Sequence, residues 1–315
     1  MRALISKILT SLIFIRYPRI PAQQRWFIRF SIKGWLYQLR FFYKDYILKK
    51  PYKIIEFKGE FQQELIKVLP HAYWHYKNGT LLKTQSPKYM APFYFFSPSH
   101  TEIYETRDYL DNYNLAIPNS AHSTFVDKSK WLRVPLKEHY QNTMFAYSKP
   151  SLVIANRYNT EWEGEPVSYF DIDTLKFILD KLVDNYQIIY NRPDSQHLAN
   201  DSSKVLELND REFIKDKYGK SILLMQDLYD IHSDKLASLN HLQLMVYANC
   251  KNFISIHGGT ATLASYFGGK NLIYSRSGHE HFLSEFEKVF SQLANTQVFV
   301  AKDNISLKEK VSELF

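Results

Sequence analysis

The second half of the chain alternates between short apolar runs and longer stretches whose apolar positions lie three and four residues apart. Short apolar runs are typical of buried strands, and the wider spacing is typical of amphipathic helices. The predicted strands are residues 151–155, 187–190, 221–225, 253–256, 271–274 and 297–300. The predicted helices are residues 171–183, 210–218, 233–250, 260–267 and 281–294. This alternation predicts an α/β fold with a mostly parallel sheet covered by helices on both faces.

The first half shows a weaker pattern. Its predicted strands are residues 52–57 and 94–96, and its predicted helices are residues 60–69 and 101–109. Prolines and the Asn78-Gly79 pair predict a loop-rich region between residues 70 and 100. Residues 132–150 contain two prolines and a polar run, which favours a connection between domains. We therefore divide the chain into an N-terminal segment (1–50), an N-terminal α/β domain (51–148) and a C-terminal α/β domain (149–315).

Polar residues follow four of the predicted strands. They are Asn156, Arg192, Asp227 and the group that begins at His257. Ligands of open parallel sheets bind in the crevice outside the carboxyl ends of the strands. The sequence therefore predicts that these residues converge on a binding site.

The run after the 253–256 strand carries the most chemical information. His257, Gly258, Gly259 and Thr260 join this strand to a helix that opens on small residues. The first N–H groups of a helix have no intrahelical acceptor, and glycines let an anion approach the backbone. His257 can add a hydrogen bond or a proton. A phosphate cradle and a plain β–α turn with a core-facing histidine both fit these residues.

The charge is concentrated in residues 1–50. This segment has eleven Lys or Arg residues and one acidic residue, Asp45, so it carries +10 while the whole chain carries +8. It also contains eleven aromatic residues. Interleaved aromatic and basic residues are typical of a helix that lies in an anionic membrane interface. Residues 3–15 are too few for a membrane-spanning helix, which needs about 20 residues.

Two other interpretations of the basic segment stay open. A basic aromatic arm can bind nucleic acid, but the remaining residues are slightly acidic and contain no recognisable nucleic-acid motif. Alternatively, the arm is a helix packed on its own domain.

The sequence predicts no metal centre and no disulfide. Cys250 is the single cysteine and lies in a predicted apolar helix, which favours a buried thiol and a reducing compartment. In His279-Glu280-His281 the two histidines are two residues apart and would point to different faces of a helix. We expect neither a metal nor another cofactor.

Residues 149–162, 188–193 and 253–269 resemble bacterial glycosyltransferases of the GT-B architecture. More narrowly, they resemble transferases of capsule, O-antigen and lipopolysaccharide assembly, and the resemblance extends over roughly residues 90 to 280. It implies two Rossmann-like domains with parallel sheets that face a cleft. The C-terminal domain would hold a nucleotide-sugar donor and the N-terminal domain an acceptor.

The resemblance also implies roles for the residues at the strand ends. Basic side chains and helix N-termini would neutralise the leaving phosphate without a metal. The expected donor-binding residues are Asn156, Arg192, His257, Gly258, Gly259 and Thr260. Glycosyl transfer also needs a carboxylate, as base or nucleophile. Glu161 is the first candidate and Asp227 the second, and His257 is a further catalytic candidate.

The resulting hypothesis is a peripheral enzyme on the inner face of the cell membrane. It would transfer a sugar from a UDP, GDP or CMP donor to a membrane-associated glycan or glycolipid. Transferases that use CMP-linked sialic acid or Kdo also place histidine and small residues near the phosphate, so that donor class is included. The alternatives are a non-catalytic sugar- or nucleotide-binding protein and a membrane- or nucleic-acid-binding module.

Overall fold

Two parallel β-sheets organise the chain in a computed structural model that describes residues 2–118, 128–160, 164–194, 199 and 203–315. The larger sheet has strand order β6-β5-β4-β7-β8-β9. Its strands are β4 Ser151–Ala155, β5 Gln187–Asn191, β6 Ile222–Leu224, β7 Asn252–Ile256, β8 Lys270–Tyr274 and β9 Gln297–Ala301. All of its pairings are parallel, and the order reverses between β4 and β7, as in a doubly wound Rossmann sheet. The six strands predicted in this half are confirmed.

The smaller sheet has the order β1-β2-β3 and is also parallel. Its strands are β1 Lys53–Glu56, β2 Leu81–Pro87 and β3 His100–Tyr104. The helix predicted over residues 101–109 is wrong, because this segment begins as β3 and pairs with β2. The strand predicted at residues 94–96 is also wrong, because these residues form the end of a 3₁₀ helix, Ala91–Tyr94, and the turn that follows it.

Helices connect and cover both sheets. Two helices, α1 Arg2–Arg16 and α2 Arg25–Gln38, precede the first strand, and α3 at residues 61–77 connects β1 with β2. Six more are α4 Leu136–Tyr140, α5 Ile172–Leu182, α6 Asp210–Tyr218, α7 Met225–His232, α8 Leu239–Ala248 and α9 Gly259–Ser265. The last three are α10 His279–Leu283, α11 at residues 286–294 and α12 Asn304–Leu314.

The long helix α3 passes through Pro70, where the sequence predicted its end. It contains a π-helical turn, Glu64–Val68. Pro70 has no N–H to donate to the carbonyl of Ile66, and the indole of Trp131 donates to that carbonyl instead at 2.9 Å. The long-range hydrogen bond therefore compensates for the proline, and α3 continues to Lys77.

One apolar cluster is shared by elements of both sheets. It contains Ile55 and Leu65 from the first half and Val153, Tyr247 and Phe253 from the second half. In the sequence, the strands of the smaller sheet precede residue 149 and those of the larger sheet follow it. The apolar core is nevertheless continuous between the two halves.

One face of the N-terminal helices packs on the second half of the chain in a separate apolar cluster. Ile13, Ile20 and Ile28 are buried against Leu283 of α10. Farther along, Asp45 is fully buried, and its carboxylate lies 2.5 Å from the Lys130 ammonium. The packed-arm interpretation is therefore correct for this face. Among the described helices, none has both the length and the apolar character that a membrane crossing requires.

We expect the Asp45–Lys130 pair to anchor the arm. Asp45→Asn leaves the Lys130 ammonium buried without its counter-ion, which should lower the free energy of unfolding by about 3 kcal/mol. The matched control is Asp227→Asn, which breaks an exposed pair with Lys215 and should cost less than about 1 kcal/mol. Urea unfolding of both variants measures the difference, and equal costs would contradict the anchoring role.

Candidate functional site

A cleft opens at the carboxyl ends of β4 and β7, where the order of the larger sheet reverses. It contains a cavity of about 170 Å³ lined by residues from both halves of the chain. Glu60, Phe61 and Arg107 line it from the side of the smaller sheet. Arg157 and the corner formed by residues 258–260 line it from the side of the larger sheet. The structure thus places the predicted glycine corner on the wall of this cavity.

The corner depends on the backbone of Gly258. Its φ of 96° and ψ of −149° lie in a region that side chains with a Cβ rarely adopt. The chain turns sharply there from β7 into α9, and the hydroxyl of Thr260 donates to the Ile256 carbonyl at 2.6 Å. This places the first amides of α9 at the cavity wall.

Gly259 is the point where the two walls of the cleft touch. A Cβ at this position would lie 2.6 Å from Cδ1 of Phe61 at the start of α3. Because Gly259 has no side chain, the Phe61 ring packs directly on the backbone of the corner. The contact fixes the width of the cleft.

Asn156 shapes the loop after β4. Its side-chain amide donates to the Phe170 carbonyl at 3.0 Å and to the Tyr190 hydroxyl at 2.9 Å. Its amide oxygen accepts from the N–H groups of Arg157 and Phe170, both at 2.9 Å. Asn156 lines the cavity, but its hydrogen bonds fix the loop. The loop in turn places Arg157 at the cavity, with its Nη1 3.5 Å from the Cβ position of Gly258.

The cavity wall carries more positive than negative side chains. Arg107, Lys88 and Arg157 line it together with Glu60, the one carboxylate that the described residues contribute. Arg107 is held by the Gly59 carbonyl at 2.7 Å and by Glu64 at 2.8 Å. Burial raises the pKa of the Glu64 carboxyl, and the Arg107 guanidinium opposes this rise. Lys88 likewise pairs with Glu105 at 2.5 Å, so carboxylates behind the wall balance part of its positive charge. The wall still offers several cationic hydrogen-bond donors to an anionic ligand.

Glu60 is the functional candidate that the sequence analysis missed. It follows β1 and precedes α3, so it occupies the same kind of strand-end position as the polar residues of the larger sheet. The Asn112 amide donates to its carboxylate at 2.7 Å, and the backbone N–H of Glu60 donates to Asn112 at 2.9 Å. The carboxylate is therefore held in place at the cavity.

Three predicted residues occupy positions that differ from the expectation. Arg192 is buried, and its guanidinium lies 2.8 Å from Asp210 and 3.1 Å from Glu207, so it supports a loop and does not line the cavity. Asp227 lies on α7 in an exposed ion pair with Lys215, away from the cavity.

His257, which was predicted to contact the phosphate, is the third of these residues. Its backbone N–H donates to Tyr274 at 3.1 Å, and the residue does not belong to the cavity lining. Its imidazole lies close enough to Glu280, behind the corner, to lower the pKa of that carboxyl. The first carboxylate candidate, Glu161, lies outside the described residues, so its role stays a prediction.

Metal-ligating side chains do not cluster in the described ranges. No group of three or more His, Cys, Asp or Glu residues there is placed to hold a metal ion.

Comparison with known proteins assigns the fold. No protein-family model and no curated protein matches the chain. E. coli ADP-heptose lipopolysaccharide heptosyltransferase II is similar in structure, with a TM-score of 0.50 and 10% identity over 83% of this chain and 97% of that one. Weaker similarity links the chain to the E. coli heptosyltransferase WaaC with ADP (TM-score 0.40, 11% identity, 84% and 73% coverage) and to a Veillonella parvula family 9 glycosyl transferase (0.33, 11%, 78% and 63%). The first similarity confirms the predicted GT-B-like α/β fold.

We expect Gly258 to tolerate no side chain. Gly258→Ala forces a Cβ into an unfavourable backbone region and should cost about 1–3 kcal/mol of unfolding free energy. Gly34→Ala is the control, because Gly34 lies within α2 with no atom near its Cβ position and should gain about 0.5–1 kcal/mol. Chemical denaturation compares the two. A Gly258→Ala variant as stable as the original chain would show that this backbone is not required.

Proposed function

We propose that this protein is a glycosyltransferase of lipopolysaccharide or related surface-polysaccharide synthesis. It transfers a sugar from a nucleoside-diphosphate donor to a membrane-associated glycan or glycolipid. The observation that carries this proposal is the composition of the cleft in a GT-B-like fold. The glycine corner and Arg157 on one wall face Arg107, Lys88 and Glu60 on the other.

The hydrogen-bond donors of the cleft fit a diphosphate. Arg157, Lys88, Arg107 and the first amides of α9 can donate hydrogen bonds to two phosphate groups, whereas a CMP donor carries only one. Glu105 and Glu64 already balance part of the charge of Lys88 and Arg107. The amide side chains of Asn240 and Gln243 line the same cavity and offer hydrogen bonds to a base or sugar. ADP-heptose is the first donor to test, because it is the donor in the name of the structurally similar E. coli enzyme. UDP and GDP sugars are the next donors.

Glu60 is the proposed general base. It accepts the proton of the acceptor hydroxyl as that oxygen bonds to the anomeric carbon of the donor sugar. The bond between the anomeric carbon and the diphosphate oxygen breaks, and its electron pair leaves with the diphosphate. Arg157, Arg107 and Lys88 stabilise the negative charge that develops there.

The outer face of the N-terminal segment supports action at a membrane. Twelve of the 23 large apolar side chains that are exposed in the described residues lie between Ile8 and Leu48. Basic residues such as Lys33, Arg40 and Lys44 are exposed on the same segment. Exposed apolar side chains among cations match a lipid interface better than nucleic acid. We therefore propose peripheral attachment to the anionic inner face of the cell membrane.

We expect Arg157 to contribute to donor binding. Titration calorimetry with ADP, UDP and GDP should detect binding of at least one, and Arg157→Ala should weaken that binding at least tenfold, equivalent to about 1.4 kcal/mol. Arg133→Ala is the control, because Arg133 pairs with Glu138 on the surface. If none of the three nucleotides binds the original chain, the proposed function is wrong.

The catalytic base can be identified by comparing two carboxylates. Glu60→Gln should lower turnover at least about a hundredfold while nucleotide binding is retained, because the variant keeps its shape and loses its basicity. Glu161→Gln tests the candidate predicted from the sequence. If Glu161→Gln abolishes transfer and Glu60→Gln does not, the base is Glu161.

Membrane attachment can be tested on the exposed face of the arm. Trp35, Leu39 and Phe42 are 42%, 54% and 54% exposed, so replacing all three by serine removes interfacial apolar surface without opening the core. We expect the triple variant to lose sedimentation with vesicles of phosphatidylcholine and phosphatidylglycerol. The control Ile305→Ser changes a residue that is 73% exposed on α12. Undiminished sedimentation of the triple variant would place attachment elsewhere.

A further inference from the structure

A buried carboxylate, Glu280, lies behind the glycine corner. It is 3% exposed and belongs to α10, next to the imidazole of His279, whose Nε2 lies 3.7 Å from its Oε1. Gly278 leaves space for this carboxylate, since a Cβ there would overlap with Oε2. The residue does not line the cavity, so it does not contact a ligand there directly.

Gln62 connects Glu280 to the corner. Its side-chain Nε2 donates to Glu280 Oε1 at 3.4 Å, and its Oε1 lies 3.8 Å from the Cβ position of Gly258. Gln62 comes from α3 in the first half of the chain, whereas Glu280 and Gly258 belong to the second half. The hydrogen bond therefore joins the first half of the chain to the second half behind the corner.

The groups around Glu280 lower the pKa of its carboxyl. Burial alone would raise the pKa of its carboxyl, but the imidazoles of His279 and His257 and the hydrogen bond from Gln62 bring the pKa below its ordinary value. An ionised acceptor makes a stronger hydrogen bond with an amide than a neutral one. The orientation of the Gln62 amide is thereby fixed, with Nε2 toward Glu280.

We propose that Glu280 is a positioning residue for donor binding. It holds Gln62 against Gly258, so that the corner and the start of α3 are arranged for a diphosphate before the donor arrives. This inference rests on the proposed function. It assigns His279-Glu280-His281 a role that metal-ligand spacing did not suggest.

The test is a double-mutant cycle in the full-length chain. Glu280→Gln keeps the size of the side chain and removes its charge, and it should weaken binding of the best nucleotide among ADP, UDP and GDP by about tenfold. Gln62→Ala should weaken binding to a similar extent. If Glu280 acts through Gln62, the double variant should bind no more weakly than the single variants. Glu280→Asp, which restores the charge, should recover part of the affinity.

Glu287→Gln is the matched control, because Glu287 is an exposed carboxylate close in sequence. Additive losses in the cycle, or no recovery in Glu280→Asp, would reduce Glu280 to a general stabilising residue and overturn the inference. If the original chain binds a nucleotide and Glu280→Gln binds it with the same affinity, the inference is also overturned. If the original chain binds none of the three nucleotides, the proposed function fails and the inference fails with it.

Discussion

The contact between the Phe61 ring and the backbone of Gly259 is the constraint on which the site depends. It joins the start of α3 to the start of α9, and any side chain at Gly259 would lie too close to the ring. Through this contact the smaller sheet brings Glu60 and Gln62 to the corner that β7 and α9 form. Neither sheet forms the cavity alone, so its chemistry depends on how the two sheets pack together.

The larger sheet was predictable because inner strands such as β4 are buried on both faces and appear as apolar runs. A cap such as Asp171 marks the start of the helix that follows. In the smaller sheet β1 was predicted, at residues 52–57, but β2 was not, because it buries the polar residues Thr84 and Ser86. Both hydroxyls hydrogen bond to His100 of the neighbouring strand, at 2.8 and 3.2 Å. Such pairing is non-local, so the pattern along the chain does not contain it.

The same limit applies to the site. The glycine corner was predictable, because backbone conformation follows from the local sequence. Which arginine faces the cavity was not predictable. Arg192 forms an ion pair with Asp210, 18 residues farther along the chain, and this pair keeps it out of the cavity lining. The hydrogen bonds of Asn156, by contrast, place Arg157 at the cavity. Glu60 was missed for a related reason, since its position opposite the corner depends on the packing of the two halves.

The proposed function requires the corner at residues 258–260 to bind the diphosphate of a nucleotide. The most direct measurement is a ¹H–¹⁵N NMR titration that follows the amides of Gly258, Gly259 and Thr260 in the intact chain. If the corner binds the diphosphate, these amides should shift and saturate with the nucleoside diphosphate that binds, and should shift far less with the matching nucleoside, which has no phosphate. Saturable binding that leaves these three amides unchanged would contradict it.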